Sequence, residues 1–195
     1  VSGIVGNPRG LLVDGVFVLW ADFDGAIRAA DINVLAALPR VPDAGGAYGV
    51  TVEGNMVYWT DAGPLRRIMK ALKNGGVPTP VATTQLEPRA IVVRNSFVYW
   101  TESDPQGIVD GHVVRASIDG GGETIIATGS SPYELTADAN NLYWTDPGND
   151  TVSRMPLRGG MAVTLASGLS LPRGIAVDST HVYWTADTLV QKVPK

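Results

Sequence analysis

Val57-Tyr58-Trp59-Thr60-Asp61 and Leu142-Tyr143-Trp144-Thr145-Asp146 are two copies of one phrase in a chain of 195 residues. Near-copies stand at Val98-Tyr99-Trp100-Thr101-Glu102, Val182-Tyr183-Trp184-Thr185-Ala186 and Val18-Leu19-Trp20-Ala21-Asp22. Together they hold all five tryptophans, which follow one another at 39, 41, 44 and 40 residues. A period near forty with several short apolar runs per period is the signature of a propeller blade.

Working outward, each unit repeats one plan. A turn and a short apolar run come first, as in Pro172-Arg173-Gly174-Ile175-Ala176-Val177. A polar hairpin such as Ser179-Thr180 leads into the tryptophan run. A variable loop precedes a third run with one basic residue: Arg28, Lys70, Arg115, Arg154 or Lys192. A Gly-rich turn, Gly75-Gly76 or Gly159-Gly160, precedes a fourth run such as Val163-Thr164-Leu165-Ala166. Four runs separated by hairpin signals describe an antiparallel four-stranded sheet. The first two runs are apolar at consecutive positions, which suits strands covered on both faces. Small residues recur where the first strand begins, at Gly10, Gly49, Ala90 and Gly174, as a crowded central axis requires; Glu134 breaks that pattern. Only Ile32 to Leu38 has room for a turn or two of helix.

The runs Tyr58–Asp61 and Tyr143–Asp146, with Pro88-Arg89-Ala90-Ile91-Val92-Val93 and Pro172–Val177 ahead of their counterparts, closely resemble the YWTD repeats of low-density-lipoprotein-receptor-type β-propellers. The Gly-Gly turn followed by Leu-Ala is similar to YWTD-like repeats of secreted bacterial proteins. The resemblance spans the whole chain. It implies an all-β fold, one β-propeller domain over residues 1–195, and an extracellular or periplasmic location. Four units are complete and the fifth stops after its third run. Val1-Ser2-Gly3-Ile4 resembles the end of a fourth strand, so five four-stranded blades are expected, with the N-terminal segment lying against Val190 to Val193 and completing the last blade. The alternative is a fragment of a six-bladed ring. Val1 is not an initiator Met and no signal peptide precedes it, so the chain reads as a mature form or a fragment.

Composition narrows the function. With 45% hydrophobic and 17% charged residues the chain belongs with globular proteins, not disordered ones. A net charge of −4 argues against nucleic acid, whose binders present basic patches. No apolar run is long enough to span a membrane. The absence of Cys excludes disulfides, thiolate metal sites and a thiol nucleophile. No Gly-x-Ser-x-Gly elbow occurs, and His112 and His181 are the sole histidines. The parts of a His-dependent triad or His-rich metal centre are therefore missing.

Position by position, the residues that enter the inner strands align as Arg9, Tyr48, Arg89, Tyr133 and Arg173. Three guanidinium groups and two phenols are expected to line one mouth of the channel. Arg offers a planar donor fork to carboxylate or phosphate, and Tyr a hydroxyl and a stacking face. These five are the candidate ligand-binding residues; the competing reading pairs each Arg with a nearby acid as part of the architecture. The motif acids Asp22, Asp61, Glu102 and Asp146 are read as structural acceptors of backbone N–H groups. The loop Ser103 to Gly111, with Asp104 and Asp110 and flanked by Glu102 and His112, is oxygen-rich but lacks EF-hand spacing and is read as a solvated loop.

The chain therefore reads as a monomeric, non-enzymatic recognition module without cofactor or metal. Its partner would be a protein or peptide, or a small anionic ligand. Two alternatives stand: a carbohydrate-binding propeller with Tyr48 and Tyr133 stacked on sugar rings, and a metal-dependent lyase or hydrolase.

Overall fold

The computed structural model describes residues 6–31, 37–42 and 44–195. Blade one comprises β1 (Pro8–Asp14), β2 (Phe17–Asp22), β3 (Ala26–Asp31) and β4 (Ala37–Pro42). Blade two comprises β5 (Ala47–Glu53), β6 (Met56–Asp61), β7 (Arg67–Leu72) and β8 (Thr79–Thr83). Blade three follows with β9 (Glu87–Arg94), β10 (Phe97–Ser103), β11 (Gly111–Ser117) and β12 (Thr124–Gly129). Blade four has β13 (Leu135–Ala137), β14 (Asn141–Asp146), β15 (Thr151–Pro156) and β16 (Val163–Ala166). Blade five has β17 (Pro172–Val177), β18 (His181–Ala186) and β19 (Leu189–Pro194). Within every blade the strands pair with their sequence neighbours, all antiparallel. The five sheets form a five-bladed, all-β propeller. The helix considered at Ile32 to Leu38 is not formed at its end, where Ala37 and Leu38 belong to β4; residues 32–36 lie outside the described residues. Val1 to Ile4 lie outside them too, and the described part of blade five is three-stranded.

Each tryptophan occupies the same place on its blade's second strand, and all five are buried. Trp59 packs back onto blade one with Val50, beside Leu19, Ile27 and Val41. Trp100 packs onto Ile68 and Val81 of blade two, Trp144 onto Val92 and Val113 of blade three, and Trp184 onto Val152 of blade four. The motif tyrosines face the other way: Tyr58, Tyr99 and Tyr143 pack forward onto the next blade. The core is thus a series of inter-blade layers, which explains the unbroken apolar runs.

Packing passes from β1 to β5, β9, β13 and β17, and β17 makes no comparable contact with β1. Val190 shows the difference. It pairs with Thr185 as Ile68 pairs with Thr60, Val113 with Thr101 and Val152 with Thr145. Those three side chains are 0% exposed and Val190 is 75% exposed. Leu11 and Val13, on the corresponding side of blade one, are exposed as well. The N-terminal segment expected against Val190 lies outside the described residues.

A single device shapes the inner end of blades one, two, three and five. The register slips between Pro8 and Leu11, between Ala47 and Val50, and between Pro172 and Ile175, with the matching slip opposite Trp100 and Glu102 in blade three. Each bulge leaves two residues outside the ladder, and bulges re-aim side chains. The re-aimed residues are Arg9, Tyr48, Arg89 and Arg173. The motif threonine fills the bulge. Thr60 Oγ1 accepts from Gly49 N–H at 2.7 Å and donates to the Arg89 carbonyl of the next blade at 2.6 Å. Thr101 links Ala90 to the Tyr133 carbonyl, and Thr145 links Glu134 to the Arg173 carbonyl, in the same way. Thr185 accepts from Gly174 N–H but is exposed. Glycine is needed at position 49, because a Cβ there would run into the Arg89 carbonyl oxygen.

Candidate functional site

The five aligned entry residues come together at one end of the channel as an alternating stack. The Arg9 guanidinium carbon lies 5.6 Å from the Tyr48 ring centre, and that of Arg89 lies 5.6 Å from the same ring. Arg89 also stands 5.3 Å from the Tyr133 ring, and Arg173 completes the series 4.7 Å from it. Arg9 additionally approaches Phe23 at 5.8 Å. The Tyr48 and Tyr133 hydroxyls hydrogen-bond at 2.9 Å. These are cation–π distances, and the attraction grows as water is excluded. Burial, with the bond to Tyr133, raises the Tyr48 phenol above its ordinary value against the pull of Arg89.

The acids that competed for these cations are engaged elsewhere. Asp22 accepts Asn7 and Asp24 N–H and pairs with Arg28 at 2.8 Å. Asp61 accepts Gly46 and Gly63 N–H and pairs with Arg67 at 2.9 Å. Asp146 accepts Ser131, Gly148 and Asn149 N–H. Glu102 takes the Trp100 indole N–H and contacts His112 Nδ1 at 3.0 Å. The motif acid is a loop tie, as its recurrence suggested. At the mouth, Arg89 pairs with Glu87 at 3.3 Å and donates to Ser103 at 3.0 Å. Among the described residues Arg9 and Arg173 have no carboxylate partner.

The third-strand basic residues are less uniform than their alignment suggested. Lys70, Arg115, Arg154 and Lys192 stand opposite the motif tyrosine, whereas Arg28 stands opposite Trp20, one step out of register. That step lets Arg28 reach Asp22. Lys70 instead donates to the Ile118 carbonyl, and Arg115 lies over Phe97. Asp104 folds its own loop by accepting Gln106, Ile108 and Val109 N–H. Among the described residues no three acids or histidines are grouped to hold a metal.

Two features of this candidate site are not legible in the sequence alone. One is the threonine relay, whose signal was the recurrence of Thr60, Thr101, Thr145 and Thr185. The other is Glu134, noted for breaking the small-residue pattern and given no role. It lines a cavity of about 350 Å³ with Arg9, Gly10, Tyr48, Gly49 and Tyr133. Burial pushes its carboxyl up to about 7, and no charged neighbour offsets that. Among the described residues the carboxyl has no hydrogen-bond or ion-pair partner.

No protein-family model matches the chain. Among solved structures it is similar to the nidogen/laminin complex, with a TM-score of 0.84 and 24% identity over 97% of this chain and 76% of that one. It is similar to virginiamycin B lyase from Staphylococcus aureus, with a TM-score of 0.74 and 15% identity over 100% and 72% of the two chains. The WD40 β-propeller domain of Doa1 gives a TM-score of 0.72 and 14% identity over 100% and 67%. At such identities the likeness concerns the fold.

Proposed function

We propose that this propeller is a non-enzymatic recognition module and that the mouth formed by Arg9, Tyr48, Arg89, Tyr133 and Arg173 binds an anionic group, such as a carboxylate of a peptide or small molecule. One observation carries the reading: three guanidinium groups share one mouth, and two of them lack a carboxylate among the described residues. Stacking on Tyr engages a guanidinium face and leaves its N–H edges free to donate. Charge-assisted bonds of that kind are about twice as strong as neutral ones. The carbohydrate alternative is weaker here, since each tyrosine ring is already flanked by two guanidinium groups. The repeat is read as YWTD-type, and with it an extracellular or periplasmic setting and a peptide-like partner. Calorimetric titration with a panel of carboxylates and phosphates tests the site. Wild-type binding reduced about tenfold or more in Arg173→Ala supports it; equal or absent binding in both proteins overturns it.

A further inference from the structure

Glu134 shares one cavity with Arg9, the first of the stacked arginines, without bonding to it. The position is reserved for Gly10, Gly49, Ala90 and Gly174 in the other blades, so a long acidic side chain there departs from the packing rule of the fold. Its backbone N–H is held as those of Gly49, Ala90 and Gly174 are, donating to Thr145 Oγ1 at 3.1 Å, and its carbonyl accepts Thr145 N–H at 3.1 Å. The side chain is therefore delivered to the channel by a fixed strand end. There it shares the cavity with Arg9, Tyr48 and Tyr133 yet bonds none of them. A partly buried carboxylate without a partner among the described residues is costly to keep charged, and its natural complement is a cation with N–H donors. Among the described residues none of the protein's own cations bonds it, and Arg89 is already held by Glu87 and Ser103.

We infer that the channel recognises a zwitterion, a ligand whose carboxylate lies among the arginines of the mouth while an ammonium group further along it reaches Glu134. This rests on the anion-site reading and adds the second charge. Opposite charges at two points of one cavity select ligands by the spacing between their charged ends, which a ring of arginines alone does not.

The test uses the whole chain at about pH 8, where Glu134 is ionised. The probes are straight-chain ω-amino acids from glycine to aminohexanoate, each compared with the carboxylic acid of equal length. In the wild type, one length of amino acid is expected to bind about tenfold tighter than its parent acid, the worth of one charge-assisted bond. Glu134→Gln, of nearly equal shape, is expected to abolish that preference and leave the parent acid within about twofold. Glu134→Ala, which restores the small residue of the other blades, should behave the same way and guards against a folding defect in the Gln variant. Parent acids that bind while no amino acid is preferred at any length overturn this inference and leave the anion site standing. A preference that survives both variants also overturns it. Failure of acids and amino acids alike overturns both readings together.

Discussion

The hydroxyls of Tyr48 and Tyr133 meet at 2.9 Å although 85 residues separate them and a whole blade lies between. The contact places Arg89 beside both rings, so the middle of the arginine series is the most enclosed. Tyr133→Phe removes the bond and keeps both stacking faces; we expect about 1 kcal/mol of lost stability and near-normal anion binding. Tyr133→Ala removes the surface on which Arg89 and Arg173 rest, and anion affinity should fall several-fold further. Urea unfolding and calorimetry on the two variants separate the hydroxyl from the ring.

The threonine relay predicts a contrast between like residues. Thr145 is buried, accepting from Glu134 and donating to the Arg173 carbonyl. Thr145→Val keeps the shape and strands both partners, at a cost of about 1–3 kcal/mol. Thr185→Val, at the same motif position but exposed, should stay within about 0.5 kcal/mol of wild type. Equal effects in chemical denaturation would show that the relay contributes nothing beyond propensity.

A second contrast concerns packing. Val152→Ala opens a cavity between blades four and five and should cost about 1–3 kcal/mol. Val190→Ala occupies the equivalent place with 75% of its surface in water, and should be close to neutral. Thermal melts of both proteins check the pair.

Two acids flanking β13 make opposite contributions to the pH profile. Glu134 has its folded value raised by burial from 4.5 to about 7. Its contribution is fully present below about pH 4.5 and is lost as pH rises through 7. The loss amounts to roughly 1–3 kcal/mol for a side chain that keeps partial access to solvent. Asp138, on the far side of the strand, runs the other way. Against the opposing effect of burial, the Lys195 ammonium, the Asn140 and Asn141 N–H groups and the Tyr143 hydroxyl hold its carboxyl well below 3.8. Its contribution is present above that value and fades as pH falls below it. Denaturation midpoints measured from about pH 4 to 8 should therefore decline toward the alkaline end in the wild type, and much less in Glu134→Gln.

Strand order was legible in the sequence because one signal was repeated five times; an error in any single unit was corrected by the other four. The convergence of Arg9, Tyr48, Arg89, Tyr133 and Arg173 was legible for the same reason. What recurrence could not show is who bonds whom across blades. Asp61 and Arg67 form an ion pair within their blade, and Thr60 bonds the next blade; both lie in the same four-letter run. Arg28 looked equivalent to Lys70, yet a one-residue difference in register turns it toward Asp22. Side chains alternate faces at every step of a strand, so alignment by residue type fails where register matters. Glu134 stood out as an exception, but an exception acquires chemistry only once its surroundings are known.

The hand-over from Thr60, Thr101 and Thr145 to the carbonyl of the following blade gives the series of blades a direction, and stability in such a chain of units is a sum of nearest-neighbour couplings. Blades two, three and four are held from both sides, while blades one and five have one described neighbour each. Fluctuations should accordingly be damped toward Arg89 and largest at Arg9 and Arg173, which belong to the outermost units. A ligand gripped by those two arginines would act as a clasp between the least restrained parts of the molecule, so that occupancy of the mouth and the breathing of the terminal blades become a single equilibrium.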